Sequence, residues 1–213
     1  MIVYGLLPVL SYLVGAIPIG FLLVRGLKGV DLRKIGSGNL GATNAARALG
    51  ARWFFPIFAL DFLKGFGPSF GLGWLATAHF SGPDESGLLY GIAAIAGHVW
   101  PVYLRFKGGK GVATATGAVA GIAPAATGIA FLAFLAVFAA FRYVSLGSIT
   151  AAVVLPAAYF LFRRGQGADV TLLALVAIAA LVVVKHRSNI RRLLAGTEPR
   201  VTRKSARKGE GPC

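Results

Sequence analysis

Between Gly97 and Thr116 the chain reads GHVWPVYLRFKGGKGVATAT. Lys107, Gly108, Gly109, Lys110 and Gly111 sit at its centre, between strongly apolar segments. Glycines let backbone N–H groups turn inward and approach an anion closely. Lysines bring positive charge to the same place. Val112, Ala113 and Thr114 then read as a helix start, whose unpaired N–H groups add a partial positive charge. The stretch has the makings of a phosphate cradle at the end of a membrane helix. It lacks the GxxxxGK[ST] spacing of a Walker A loop. A flexible loop carrying topology-setting charge uses the same residue types, so both readings stand on this stretch alone.

Three further polar stretches have related chemistry. Gly36 to Asn44 (GSGNLGATN) offers the hydroxyls of Ser37 and Thr43 and the carboxamides of Asn39 and Asn44. Such a segment can wrap an anion with neutral donors, and Arg47, one turn on, adds a bidentate one. The alternative is a loop in which Thr43 or Asn44 caps a helix. Arg142 to Ser148 places Ser145 and Ser148 one turn apart, so that both hydroxyls face one way or one of them caps a helix. Lys185 to Glu198 holds His186 and Asn189 at i, i+3, on one face. Ile190, Leu193 and Leu194 form an apolar stripe there, suited to a helix lying along a membrane surface. Glu198 stands among many basic residues and is expected to be paired.

Asp61 and Lys64 fall inside an apolar segment. Intramembrane ionisable groups default to a functional reading, but the i, i+3 spacing favours a structural ion pair, one that could orient the Gly36–Asn44 loop. His98 suits a base, an anion ligand or a hydrogen bond to a neighbouring loop. His79 reads as a loop residue.

The elements that position these groups follow from hydropathy. The chain has 213 residues, 56% hydrophobic and 14% charged, with a mean hydropathy of +0.73. A soluble domain carries about 25% charged residues. Seven apolar segments are expected, at 2–24, 53–78, 87–105, 112–122, 125–141, 146–162 and 168–185. The fourth is too short to cross a bilayer, which suits a helix lining a polar cavity. The expected fold is an all-α polytopic membrane protein with about seven transmembrane helices, one of them short. Residues 1–198 form one membrane domain, and 199–213 a basic disordered tail. The first segment lacks a basic n-region and a clear cleavage site, so it reads as a retained helix.

With the N-terminus outside and the C-terminus cytoplasmic, all of the 22 Lys and Arg except Lys64, Arg163 and Arg164 fall inside, as the positive-inside rule requires. Arg163-Arg164 is the local contradiction. All four polar stretches then share the cytoplasmic side. The net charge of +15 is read as a face for anionic lipid, and nucleic-acid binding is set aside. The single Cys213 excludes an intramolecular disulfide and a cysteine-ligated metal site. No Ser-His-Asp order, HExxH or aspartate pair appears, so no metal or cofactor is expected.

Three motifs carry a resemblance across nearly the whole chain. They are SGNLGATN at 37–44, GH…FKGGKGVAT ending at Thr114, and HxxNIxRLxxGxE from His186 to Glu198. Together they resemble the bacterial acyl-phosphate-dependent glycerol-3-phosphate acyltransferase family, the PlsY type. The resemblance implies transfer of an acyl group from acyl phosphate to the 1-hydroxyl of glycerol 3-phosphate, at a cytoplasm-facing site in the bacterial inner membrane. The products are lysophosphatidic acid and phosphate. It implies functional roles for Ser37, Asn39, Thr43, Asn44 and Arg47, and glycerol-phosphate binding by Lys107, Gly108, Gly109, Lys110 and Gly111. It implies substrate contacts for His186 and Asn189, and a structural role for Glu198. The family's middle-loop serine corresponds to Ser145 or Ser148. The partners are acyl phosphate, glycerol 3-phosphate and membrane lipid, with no obligate protein partner evident. The expected proton acceptor is a substrate phosphate oxygen, with His186 the competing base. A transporter of a phosphorylated anion is the rival reading, but it calls for polar groups on both sides and often for internal repeats. A Mg²⁺-dependent lipid-phosphate transferase calls for acidic residues that this face lacks.

Overall fold

A computed structural model describes residues 2–80, 82–83, 85–163, 167 and 169–201, with side chains from Gly5 onward. The described elements are helical: α1 (Ile2–Ala16), α2 (Ile19–Lys28), α3 (Ala42–Leu49), α4 (Phe54–Phe66), α5 (Gly73–Phe80), α6 (Ser86–Val99), α7 (Val112–Ala120), α8 (Pro124–Phe141), α9 (Val144–Phe162), α10 (Val170–Lys185) and α11 (Arg187–Leu194). Single 3₁₀ turns occupy Leu32–Lys34, Ala51–Trp53 and Val102–Leu104.

Four helical stretches are long and apolar enough to cross a membrane: Gly5–Lys28, Ser86–Leu104, Pro124–Phe141 and Val144–Phe162. A fifth span results if α10 and α11, bent by 56° at His186, are counted as one. The expectation of about seven spans is thus met only at the level of an all-helical, multi-span chain. The differences have local causes. The first apolar segment breaks at Ile17-Pro18, because proline donates no N–H. The second becomes α4, a π-helical stretch Gly67–Leu72 and α5. Pro68 lies in that stretch, where a widened turn absorbs the missing donor. The fourth, α7, has only 9 residues. The turn at His186 points α11 away from the line of α10, as its apolar stripe suggests.

The helices fall into two compact units, one formed by the chain up to Ile122 and one beginning at Ala123. In the first, α1 packs on α6 and α4 on α7. Lipid tails are as apolar as leucine, so these pairs hold by close backbone approach. A Cβ on Gly97 would run into the carbonyl oxygen of Tyr12, and one on Gly65 into that of Thr114. A separate core of Val24, Leu32, Leu40, Ala42, Ala45, Leu49 and Ile57 joins α2, α3 and α4. In the second unit, α9 packs on α8 and on α10.

Arg163 pairs with Asp169. Asp169 also caps α10 through Leu172 N–H at 2.7 Å and accepts from the Tyr159 hydroxyl at 3.1 Å. The charge at Arg163 is therefore offset locally; Arg164 lies outside the described residues. Of the stretch read as a tail, residues 199–201 are docked. Arg200 Nε donates to the Tyr143 hydroxyl at 2.9 Å, its guanidinium lies 5.1 Å from that ring's centroid, and Val201 N–H donates to the Arg142 carbonyl at 3.0 Å. Residues 202–213 lie outside the described residues.

Candidate active site

In the first unit the Gly36–Asn44 loop is built around one side chain. Asn44 is 1% exposed. Its Oδ1 accepts from Ser37 N–H at 3.0 Å, and its Nδ2 donates to the carbonyls of Ile35 at 3.0 Å and Asn39 at 2.9 Å. Gly36 and Gly38 take positive φ of 53° and 68°, which lets the chain coil around that amide. Asn44 was expected to bind phosphate; in this structure its carboxamide bonds the loop backbone and so shapes the loop. Gly41, not Thr43 or Asn44, is the N-cap of α3. Ser37 and Arg47 are exposed, Asn39 and Thr43 half-buried. The Arg47 stem passes alongside Gly36. Ahead of the loop, Asp31 caps the 3₁₀ turn and pairs with Arg33 at 2.6 Å. The Arg33 hydrogen bonds hold the Asp31 carboxyl down to about 2.

The Lys107–Gly111 turn lies on the end of α6. Leu104 packs against the α2–α3–α4 core, so the same cluster anchors both loops. Arg105 and Phe106 take left-handed φ of 52° and 61°, and Phe106 N–H donates to the Pro101 carbonyl at 2.9 Å. That reversal brings Gly109 N–H to the His98 carbonyl at 3.1 Å. Gly108 and Gly109 touch the His98 carbonyl and ring so closely that a side chain has no room. Gly111, at φ 79°, is the N-cap of α7. Lys107 is exposed and Lys110 half-buried. Exposed or half-buried cations over a tight glycine turn at a helix start have the components of an anion site.

Asp61 and Lys64 form the expected pair, at 2.8 Å, both almost fully buried. Lys64 Nζ also donates to the Ile17 carbonyl at 2.8 Å. The pair therefore serves the α1–α2 break and not the Gly36–Asn44 loop: at that break the Ile17 carbonyl also takes the Ile19 N–H at 3.1 Å.

In the second unit Glu198 joins two of the expected residues, Ser145 and Asn189, to Arg192, which the sequence did not single out. Its Oε1 accepts from Ser145 Oγ at 2.7 Å and from Asn189 Nδ2 at 2.7 Å; its Oε2 accepts from Arg192 Nε at 2.7 Å. Burial opposes ionisation of Glu198, but hydrogen bonds from Ser145, Asn189 and Arg192 outweigh it and hold the carboxyl below its ordinary range. The Ser148 hydroxyl turns back to the Val144 carbonyl at 2.8 Å. Neither serine caps α9, whose N-cap is Tyr143. His186 sits at the α10–α11 bend with Nδ1 2.8 Å from the Val182 carbonyl. That contact makes Nδ1 the donor and gives Nε2 the lone pair of the neutral ring. Asn189 was expected to touch substrate; its amide N–H₂ is directed at Glu198. These links were not readable from the sequence, since Ser145 and Glu198 are 53 residues apart.

Fold and site together define a helical, multi-span membrane protein whose polar side chains gather in glycine-rich, basic turns at helix ends. The chain belongs to the glycerol-3-phosphate acyltransferase family, whose model matches residues 5–196. It is 47% identical to the glycerol-3-phosphate acyltransferase of Aquifex aeolicus, over 91% of this chain and 97% of that one. It is 41% identical to that of Staphylococcus aureus, over 90% and 95%. Its fold is similar to the crystal structure of PlsY (YgiH), an integral membrane glycerol 3-phosphate acyltransferase. The glycerol 3-phosphate form aligns with a TM-score of 0.82 at 43% identity, covering 93% of this chain and 96% of that one. The lysophosphatidic acid form aligns at 0.80 and 41%, covering 95% and 97%.

Proposed function

We propose that the chain moves a fatty acyl group from acyl phosphate to the 1-hydroxyl of glycerol 3-phosphate, the first acylation step of phospholipid biosynthesis. The observation that carries this is the family match from 5 to 196, which spans the glycine–lysine turn and the stretches around Asn44 and His186. Related PlsY crystal structures in glycerol 3-phosphate and lysophosphatidic acid forms support the acceptor and the product. Two phosphorylated substrates explain basic, glycine-rich turns without a catalytic triad.

The hydroxyl oxygen attacks the acyl carbonyl carbon, and the bond from that carbon to the phosphate oxygen breaks. The hydroxyl proton passes to a phosphate oxygen, giving an ester and hydrogen phosphate. The leaving group is already activated, so holding hydroxyl and carbonyl together supplies much of the rate. Lys107, Lys110 and the turn's backbone N–H groups other than those of Lys107 and Gly109, which donate to carbonyls, stabilise charge developing on phosphate. Ser37, Asn39, Thr43 and Arg47 are further phosphate donors, with Asn44 setting their loop. His186 and Asn189 are substrate contacts by family correspondence, and Asn189 is also braced by Glu198. Ser145 and Ser148 remain the two candidates for the middle-loop contact. The basic stretches support a bacterial inner-membrane enzyme with its N-terminus outside and its C-terminus and active site toward the cytoplasm.

The purified protein, given glycerol 3-phosphate and palmitoyl phosphate with EDTA present, will release lysophosphatidic acid and phosphate in equal amounts. Activity with palmitoyl-CoA alone overturns the donor assignment. His186→Gln will retain turnover under substrate assistance. Its abolition with intact glycerol 3-phosphate affinity assigns the proton to His186 instead.

A further inference from the structure

Four polar side chains from three helices meet inside the first unit. Asp61 and Lys64 come from α4, His98 from the last turn of α6, and Thr114 from the first turn of α7. None is more than 8% exposed. His98 Nδ1 lies 3.1 Å from Thr114 Oγ1 and 3.8 Å from Asp61 Oδ1. Asp61 Oδ1 takes the ammonium of Lys64 as a charge neighbour at 2.8 Å, but no well-directed hydrogen bond reaches it. A buried ion pair is often no more stable than apolar residues of the same size. Its presence therefore asks for a task beyond cohesion.

The surroundings of His98 supply that task. The ring lies directly under the turn, where a Cβ on Gly109 would strike its Nε2. The His98 carbonyl takes the Gly109 N–H at 3.1 Å. Gly111, where α7 begins, rests on the Val99 side chain. The imidazole is thus the surface on which the turn is laid. Thr114 ties that ring to the helix that the turn starts. Asp61 and Lys64 stand behind it, and Lys64 continues to the Ile17 carbonyl at the α1–α2 break.

We propose that Asp61, Lys64, His98 and Thr114 form a positioning network that fixes the His98 ring as the floor of the Lys107–Gly111 turn and thereby sets the affinity for glycerol 3-phosphate. The proposal rests on the reading that this turn binds the phosphate of glycerol 3-phosphate. None of the four is a catalytic residue: the network acts through the backbone of residues 108–111. It reaches the two lysines only by holding that backbone in place.

Thr114 is the place to test it, because its hydroxyl can be removed without changing its shape. Initial rates of the purified full chain, with each substrate varied in turn, compare Thr114→Val, Thr114→Ser, Lys107→Ala and Lys110→Ala. Thr114→Val will raise KM for glycerol 3-phosphate roughly 3- to 10-fold, the range for one lost buried hydrogen bond. KM for palmitoyl phosphate will stay at its wild-type value, and the thermal midpoint will fall by only a few degrees. Thr114→Ser, which keeps the hydroxyl, will return KM to within about twofold of wild type. An unchanged KM in Thr114→Val overturns the proposal. So does a joint rise in both KM values with a lower thermal midpoint, which marks general loosening of the unit. If the lysine variants raise KM for glycerol 3-phosphate and Thr114→Val does not, the network alone is refuted. If neither lysine variant raises it, the reading of the turn fails and the proposal falls with it.

Discussion

Gly108→Ala will lower acyl transfer by about 100-fold, the scale at which a small displacement of a binding group costs rate. The added Cβ would meet the carbonyl oxygens of His98 and Val99 and the ring of Pro101. Those carbonyls belong to the end of α6 and cannot swing aside as a long side chain does. The turn must lift instead, carrying Lys107 and Lys110 off their positions. The objection is one of space. Overpacking of this kind costs about 1–3 kcal/mol of stability, so the protein will still fold, with KM for glycerol 3-phosphate raised and turnover reduced. Gly128→Ala in α8 is the matched control, because nothing lies within 4 Å of a Cβ there. A wild-type rate for Gly108→Ala would remove the turn from the active site.

Glu198→Ala will destabilise the second unit by about 2–4 kcal/mol. The carboxylate is the shared acceptor for Ser145, Asn189 and Arg192. Removing it strands a serine hydroxyl, an amide and a guanidinium at once. Arg192 is 35% exposed, so water takes over part of its share, and most of the loss falls on the buried Ser145 and Asn189. Thermal unfolding in detergent measures it. The sign of the pH dependence follows from the depressed carboxyl. Its stabilisation is complete above the ordinary value of 4.5 and fades as pH falls below it. Wild type will lose thermal stability on acidification through that window, and Glu198→Gln will lose less. Equal pH profiles would show that the charge contributes nothing.

What the sequence disclosed depended on how local the cause was. The glycine–lysine turn, the i, i+3 pair of Asp61 and Lys64 and the short fourth segment are each written within a few residues. Their structures follow from backbone freedom, helix spacing and span length. Glu198 was expected to be paired because acid is rare in that region. Its partners were not legible, since Ser145 reaches it only through the fold. Asn44 shows the limit from the other side. An asparagine in a polar loop suits a ligand contact or a loop hub equally well, and only the placement of the Ile35 and Asn39 carbonyls reveals the hub. Arg163 stands against the charge rule in the sequence, and only the fold shows that it pairs with Asp169, six residues on. The breaks within the apolar segments were hidden for a related reason. Hydropathy sums apolar residues and is blind to Pro18 and Pro68, which interrupt helices without interrupting hydrophobicity.

The glycine-mediated crossings of α1 with α6 and of α4 with α7 bear on where fat can go. At Gly97 and Gly65 one helix backbone rests on another, with no space for even a methyl group between them. A hydrocarbon tail cannot be threaded through either seam. The alkyl chain of the proposed donor and of its product must take some other route, and exposed apolar side chains such as Phe55, Leu63 and Trp74 offer it contact. These crossings act as sealed joints: neither can part to admit a tail without moving a helix backbone.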